Sequence, residues 1–343
     1  MNKIQILKVL VNKYPAYLIM FITAKCNSKC RYCFYKDQLN TNKKELNLKE
    51  IEKISKNFKD LIYVSLTGGE PFLREDIDEI CYYFYKNSGT KFIAIPTNGI
   101  LNEKIFEKTK KILEYCPDLN LSIDLSVDAI GKKHDEIRGV EKNFEKIEKV
   151  IKDLQGLKNN RLKIIIHTVF SAYNQDSILN LYEYFREKNI DQHRIGFLRN
   201  DSPNGEAKKI DIEKYSLILN KIKMERKGNV YSKIFATINK INNEINIRTI
   251  KENKWILPCV AGKKMIVINE EGDVYPCEIL NRKLGNLRNY NYNIKELLKS
   301  YDAKSIRRFI VKKKCYCSWG CATQNNIIFN FRTYPKLFYR FFK

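Results

Sequence analysis

Between Tyr17 and Arg199 the sequence alternates six short β-rich runs with amphipathic helical stretches. The strand candidates are Leu18–Thr23, Tyr63–Leu66, Phe92–Pro96, Leu121–Val127, Leu162–Val169 and Arg194–Leu198. Helical periodicity falls between them, near 48–59, 76–87, 102–115, 141–156 and 175–188. Strands separated by helices of that length run parallel and connect through right-handed crossovers. The expected fold class is therefore α/β, a partial (β/α)6 TIM-like barrel; a closed eight-fold barrel needs more chain before the composition changes. Reactive residues of such a barrel gather at the C-terminal ends of its strands.

The turn-forming run Asn200–Gly205 is the clearest break in the pattern. Two helical patterns follow, at about 211–227 and 231–246, and then a cysteine-bearing region from Trp255 to Cys321. The division expected is an N-terminal helical segment (1–16), a barrel (17–200), a helical linker (201–254), a small cysteine domain (255–326) and a basic aromatic tail (327–343). Met1–Tyr14 is basic and helical in pattern but lacks the apolar core and cleavage site of a signal peptide. The longest unbroken apolar stretch, Tyr17–Ala24, is too short to span a bilayer, so a cytoplasmic protein is expected. The net charge of +24 invites a nucleic-acid reading, but lysines spread over helix surfaces are normally a solvated face. Nucleic acid is not expected as a partner. A basic exterior favours acidic partners. Both ends are basic and amphipathic, with Ile4, Leu7, Leu10 and Val11 at one and Leu337, Phe338, Phe341 and Phe342 at the other. Packing against the core is the expectation for them, and peripheral membrane contact is not favoured.

Ten cysteines carry the chemistry. A disulfide framework suits a small secreted domain, whereas clustered thiols in a reducing compartment point to metal. Cys81 and Cys116 stand alone in helical patterns and read as buried, inert thiols. Cys26, Cys30 and Cys33 follow the first strand on one loop. Structural zinc takes four ligands, and no fourth Cys or His lies near these three. An iron–sulfur cube held by three thiolates leaves one iron open to another molecule.

This Cys-x3-Cys-x2-Cys loop, with Tyr32 before its last cysteine, resembles the signature of the radical SAM superfamily. Companion segments follow in the family's order. Gly68-Gly69-Glu70-Pro71 ends the second strand, Pro96-Thr97-Asn98-Gly99 the third, and Ser122 to Asp128 the fourth; His134 to Gly139 resembles the next HD-x-x-RG segment. The resemblance implies S-adenosylmethionine as cofactor, its amino group on the Gly68–Pro71 segment. Glu70 would pair with the ammonium, and Gly68 and Gly69 would allow close approach of backbone to ligand. It also implies Thr97 and Asn98 of the third-strand turn at the cofactor, Ser126 and Asp128 near the ribose, Arg138 at the carboxylate and Tyr32 near the adenine. His134 reads as a structural contact.

Further on, Cys259, Gly272 and Cys277 are spaced as in the SPASM/twitch extensions of that superfamily, and Glu270–Asp273 reads as the turn of a hairpin joining the two cysteines. The usual late Cys-x2-Cys is replaced here by Cys315, Cys317 and Cys321. Five thiols suit one auxiliary [4Fe–4S] cluster with one spare. The resemblance implies a small α+β SPASM/twitch domain with Cys259, Cys277, Cys317 and Cys321 as ligands, the choice between Cys315 and Cys317 staying open. Two [4Fe–4S] clusters result, one of them binding S-adenosylmethionine.

What the family implies is reductive cleavage of S-adenosylmethionine to a 5′-deoxyadenosyl radical, which takes a hydrogen from substrate, and an acidic electron donor such as flavodoxin or ferredoxin. The auxiliary cluster would serve in redox or in substrate positioning. The substrate expected is a peptide, a carbohydrate or another small molecule. The alternatives are radical modification of RNA and a non-catalytic zinc module that binds nucleic acid. No catalytic acid or base stands out; Asp124, Asp128 and Asp201 are candidates because strand ends face the site.

Overall fold

The computed structural model describes residues 12, 14–157, 159–222 and 230–342. Its barrel strands are β1 (Tyr17–Thr23), β2 (Tyr63–Gly68), β3 (Phe92–Thr97), β4 (Asn120–Ser126), β5 (Leu162–Phe170) and β6 (Gln192–Phe197). Each pairs in parallel with the next. The connecting helices are α1 (Leu48–Asn57), α2 (Ile77–Ser88), α3 (Asn102–Tyr115), α4 (Lys132–Arg138), α5 (Asn143–Gly156) and α6 (Ile178–Arg186). The expected α/β class and partial barrel are both present.

Strand periodicity sets the two faces. On β4, Leu121, Ile123 and Leu125 are buried in the core beneath the helices, so Ser122, Asp124 and Ser126 point the other way, into the barrel lumen. On β1, Leu18, Met20 and Ile22 join that core, whereas Ile19 and Phe21 face a separate cluster on the inner side. Helix α1 begins where the sequence signals it. Asn47 Oδ1 accepts from the Glu50 amide (3.0 Å) and the Glu50 carboxylate accepts from the Asn47 amide (2.9 Å).

The sheet does not close. The outer edge of β1 is taken instead by a hairpin from the cysteine-bearing region: β7 (Met265–Ile268) pairs in parallel with β1, then β8 (Asp273–Tyr275) and β9 (Gly285–Asn286) continue antiparallel. The nine strands run in the order β6-β5-β4-β3-β2-β1-β7-β8-β9. The turn is the one read from the sequence, with Asn269 Oδ1 accepting from the amides of Glu271 (3.1 Å) and Asp273 (2.8 Å) and Gly272 at a φ of +85°. Ile266, Ile268, Val274, Leu284 and Leu287 share one core with Leu46, Ile51 and the barrel strands. Arg288 completes the joint, bonding Glu50 at 2.7 Å and the Lys44 carbonyl at 3.1 Å.

The remaining helices are α7 (Ile212–Lys221), α8 (Val230–Glu252), α9 (Ile294–Lys299), α10 (Tyr301–Lys312), α11 (Gly320–Ile328) and α12 (Tyr334–Phe342). Among the described residues no helix is long and apolar enough to cross a membrane. The amphipathic stretch Met1–Val11 lies outside the described residues. The tail packs on the protein as expected, but along one stripe only. Helix α12 turns Leu337 toward the Ile238/Ile241/Ile245 cluster of α8 and pairs Lys336 and Arg340 with Glu244 (3.0 and 2.9 Å). So short a helix docks on one stripe, which leaves Phe338, Tyr339 and Phe342 between 62% and 72% exposed.

Because barrel and C-terminal strands share a sheet and a core, they should unfold together. Calorimetry of the iron-free protein is expected to show one cooperative transition, with near-UV and far-UV signals coincident. Two resolved transitions would mean that the β1–β7 seam contributes little.

Candidate functional site

The loop after β1 carries Cys26, Cys30 and Cys33, all half-buried. It has no regular structure and is pinned from outside. Asn40 brackets Cys26, accepting from its amide (2.9 Å) and donating to its carbonyl (3.0 Å). The amides of Lys29 and Arg31 donate to the carbonyls of Arg138 (3.1 Å) and Ile137 (2.9 Å) at the end of α4. Ser28 Oγ donates to the Arg138 carbonyl (2.9 Å) and lies 3.2 Å from Cys30 Sγ, which the Arg138 guanidinium also approaches at 3.7 Å.

The companion segments converge on this loop. Gly68 and Gly69 approach protein rather than open space: a Cβ on either would fall 2.2 Å from the Thr23 carbonyl oxygen or 2.1 Å from that of Lys25. The amides of Gly69 and Glu70 donate to those two carbonyls, both at 2.8 Å, so the glycines seat β2 against the start of the cysteine loop. Glu70 is 1% exposed, and its carboxylate accepts from Thr97 Oγ1 (2.8 Å), the Asn98 amide (2.8 Å) and the Phe72 amide (3.2 Å). Burial pushes its carboxyl up to about 7 against the pull of those donors. Pro71, also buried, opens the turn that follows. Asn98 in turn bonds Asn27 of the cysteine loop (2.7 Å) and takes a hydrogen bond from Asn143 on its carbonyl (3.0 Å).

From Asn143 the network continues. Its Oδ1 lies 3.0 Å from His134 Nε2, and His134 Nδ1 accepts from the Asp128 amide at 3.1 Å. The proton therefore sits on Nε2. Burial, with the Arg138 charge adding to it, lowers His134 to about 4 and keeps it neutral. The Asp128 carboxylate accepts from Arg138 Nε at 2.6 Å; burial raises its carboxyl, but the Arg138 guanidinium, His134, Tyr32 and the Val169 amide together outweigh this and the net shift is downward. Tyr32 is buried with Ala129, Ile137 and Leu198, stacked on Tyr173 at 6.5 Å. Each of these candidates but Ser126 thus has a protein partner; Ser126 faces the lumen.

The lumen is polar. Asp124 takes a short hydrogen bond from Ser122 and lies 3.5 Å from the Arg194 guanidinium. His167 flanks them, over Gly196, and Tyr17 stacks on Tyr63 with centroids 4.6 Å apart. His167, Arg194, Tyr17 and Tyr63 are absent from the sequence-based candidates. Their signal was a polar or aromatic residue at alternate positions of otherwise aliphatic strands. Of the three aspartates proposed from sequence, Asp128 and Asp201 are locked to arginines at 2.6 and 2.5 Å.

A second set of thiols gathers against the inner face of β1 and β7. Cys277 is buried; Cys259, Cys315, Cys317 and Cys321 are half-buried around Trp319, Met265 and Val267. Cys259, Cys277, Cys315 and Cys317 lie within electrostatic reach of one another. Cys321, on the first turn of α11, packs against the same apolar cluster beside Tyr17. Cys81 and Cys116 are fully buried, as expected of inert thiols. Among the described residues no three His, Cys, Asp or Glu side chains converge closely enough to share one metal ion. Three thiols on one loop and five in the second set are all-cysteine donor sets of the kind that hold iron–sulfur clusters.

Comparison with known proteins agrees with this geometry. Residues 20–185 match the model of the radical SAM superfamily, and residues 259–322 match SPASM, an iron–sulfur cluster-binding domain. GTP 3′,8-cyclase of Clostridium perfringens (strain 13 / Type A) is 32% identical over 217 residues, covering 62% of this chain and 63% of the relative. The chain thus spans less than two thirds of that relative's length. Among solved structures, Streptococcus suis SuiB bound to S-adenosylmethionine aligns with a TM-score of 0.62 at 19% identity, over 89% of this chain and 71% of that one. Native anSMEcpe with bound AdoMet aligns with a TM-score of 0.61 at 19% identity, over 96% of each chain. At those identities the likeness is one of fold.

The buried neutral histidine makes a pH prediction. A group held at about 4 when folded and near 6.5 when unfolded contributes stability above pH 6.5 that is lost as pH falls toward 4. The loss should reach about 3 kcal/mol. In His134→Gln, where the amide can both donate and accept, denaturant melts of the iron-free protein should lose that slope; an unchanged slope would assign the acid sensitivity elsewhere.

Proposed function

We propose that this chain, which belongs to the radical SAM superfamily and carries a SPASM domain, is an enzyme that uses S-adenosylmethionine and two [4Fe–4S] clusters to take a hydrogen atom from a polar substrate in the barrel lumen. The observation that carries this reading is the position of the three-thiol loop, which follows β1 at its C-terminal end on the barrel whose inner side carries Asp124 and Arg194. When bound, the cofactors supply one-electron cleavage of the sulfonium and the 5′-deoxyadenosyl radical that results.

The protein's own part is to hold and orient. Cys26, Cys30 and Cys33 are the ligands of the first cluster, with Arg138 and Ser28 at Cys30. Gly68–Pro71, Thr97, Asn98, Ser126 and Asp128–Arg138 surround S-adenosylmethionine, and Tyr32 packs toward its adenine. Glu70 acts through Thr97 and Asn98, fixing both turns at once. Asp124 is the proton acceptor, since it faces the lumen and its guanidinium partner is the most distant of the three aspartates'. Cys259, Cys277 and Cys321, with Cys315 or Cys317 as the fourth ligand, hold the auxiliary cluster, which serves in redox or substrate positioning. A net charge of +24 suits an acidic electron donor such as flavodoxin or ferredoxin.

The substrate is a peptide, a carbohydrate or another small polar molecule, bound between the Asp124–Arg194 pair and the Tyr17–Tyr63 stack. A second reading comes from the relatives named GTP 3′,8-cyclase. A triphosphate needs several free cations, yet Arg138 and Arg199 are each locked to a carboxylate, which leaves Arg194 as the loosely paired arginine of the three. That favours the first reading.

Anaerobic reconstitution should yield about eight irons per chain and dithionite-dependent release of 5′-deoxyadenosine. A colourless protein with stoichiometric zinc would refute the proposal, and consumption of GTP would replace its substrate class. Asp124→Asn should retain cofactor cleavage while lowering substrate turnover roughly 100-fold or more, the usual contribution of a positioned base. Cys321→Ser should lose the auxiliary cluster, and one of Cys315→Ser and Cys317→Ser should keep it; a cluster retained in Cys321→Ser would remove Cys321 from the ligand set.

A further inference from the structure

Arg199 leaves the end of β6 and reaches both cysteine loops. Its guanidinium lies 3.6 Å from the ring centroid of Phe34, the residue after Cys33, and 5.9 Å from that of Trp319, between Cys317 and Cys321. In its plane it bonds the carboxylate of Glu278, the residue after Cys277, and the Glu278 carbonyl at 3.1 Å. Asp201 takes the remaining edge at 2.9 and 2.5 Å. The side chain is 12% exposed. The same turn grips the first loop again: Ser202 Oγ donates to the Tyr32 carbonyl (3.0 Å) and Asn204 Nδ2 to the Arg31 carbonyl (2.8 Å).

We propose that Arg199 is a positioning residue that couples the two cysteine loops, so that the state of the auxiliary centre is felt at the centre that binds S-adenosylmethionine. This rests on the reading that each loop holds a cluster. A planar guanidinium can bond carboxylates at its edge and stack on aromatic rings at its faces, which a lysine cannot do. Here one buried group touches the residue next to Cys33, the residue next to Cys277 and the indole between Cys317 and Cys321. A change of charge or shape at the auxiliary ligands moves Glu278 and Trp319, and through Arg199 moves Phe34. Cluster potentials respond to charge and hydrogen bonding at this range.

The test is a double-mutant cycle read as a potential. The midpoint potential of the first cluster is followed by EPR in the holoenzyme, in Cys277→Ser, in Arg199→Gln and in the double variant. Loss of the auxiliary cluster is expected to shift that potential when Arg199 is present and to leave it unchanged when Gln is. Equal shifts in both backgrounds, or no shift in either, would overturn the proposal. Phe34→Leu leaves the Arg199 ion pairs in place and should reduce the shift even if Arg199→Gln folds poorly; a full shift there would count against coupling through Phe34. In the iron-free protein, Arg199→Gln should speed amide exchange over residues 31–35, and unchanged exchange would contradict the mechanical link. If the holoenzyme holds only about four irons, the two-cluster reading fails and the proposal falls with it.

Discussion

The loop that carries Cys26, Cys30 and Cys33 has no secondary structure to fix it, and everything the site does depends on where those three thiols stand. They are held by a continuous chain of buried hydrogen bonds. It runs from Glu70 through Thr97 and Asn98 to Asn143, His134, Asp128 and Arg138, and ends at the Cys30 sulfur. The chain ties the C-terminal ends of β2, β3 and β4 together through α4 and α5. A donor or acceptor left unsatisfied in such a network costs about 1–3 kcal/mol, so a network of this kind holds one geometry or fails as a whole. That rigidity is what lets an irregular loop present three ligands in fixed register.

The second constraint is the open edge of the barrel. A six-stranded parallel sheet leaves β1 unpaired on one side, and an unpaired edge invites the wrong partner. Here the β7–β8 hairpin occupies it, with Tyr17 opposite Met265 and Met20 opposite Ile268. The pairing that satisfies the edge also fixes chemistry. It puts Cys259 and Cys277 at the open end of a hairpin whose inner face is the wall of the lumen, against Ile19 and Phe21.

Much of this was legible in the sequence because each signal was local. Strand–helix alternation sufficed for the six parallel strands, and Glu270–Asp273 for the hairpin turn. The spacing of the first three cysteines limited what that loop could hold. The parts that could not be read are long-range. Glu70 looks like a ligand-facing carboxylate in its segment, but only the fold shows it turned inward between two turns. Gly69 suggests a close approach without saying that the neighbour is the Lys25 carbonyl. Arg194 and His167 sit in strands unmarked by any motif and gain meaning only when β4, β5 and β6 bring them beside Asp124. Asn200–Gly205 reads as a break because turn residues fill it, and the same turn aims Arg199, Ser202 and Asn204 back at the cysteine loop.

The central claim is that the Cys26/Cys30/Cys33 centre keeps one iron free of protein ligands for S-adenosylmethionine. Its most direct test uses a Cys259→Ala/Cys277→Ala variant, in which only that centre remains. The EPR spectrum of its reduced state is recorded before and after adding S-adenosylmethionine labelled with 15N at the amino group. The account predicts a changed g-tensor and resolved 15N hyperfine coupling, the mark of an amino group on the open iron. An unchanged spectrum with no coupling, in protein that retains its four irons, would contradict it.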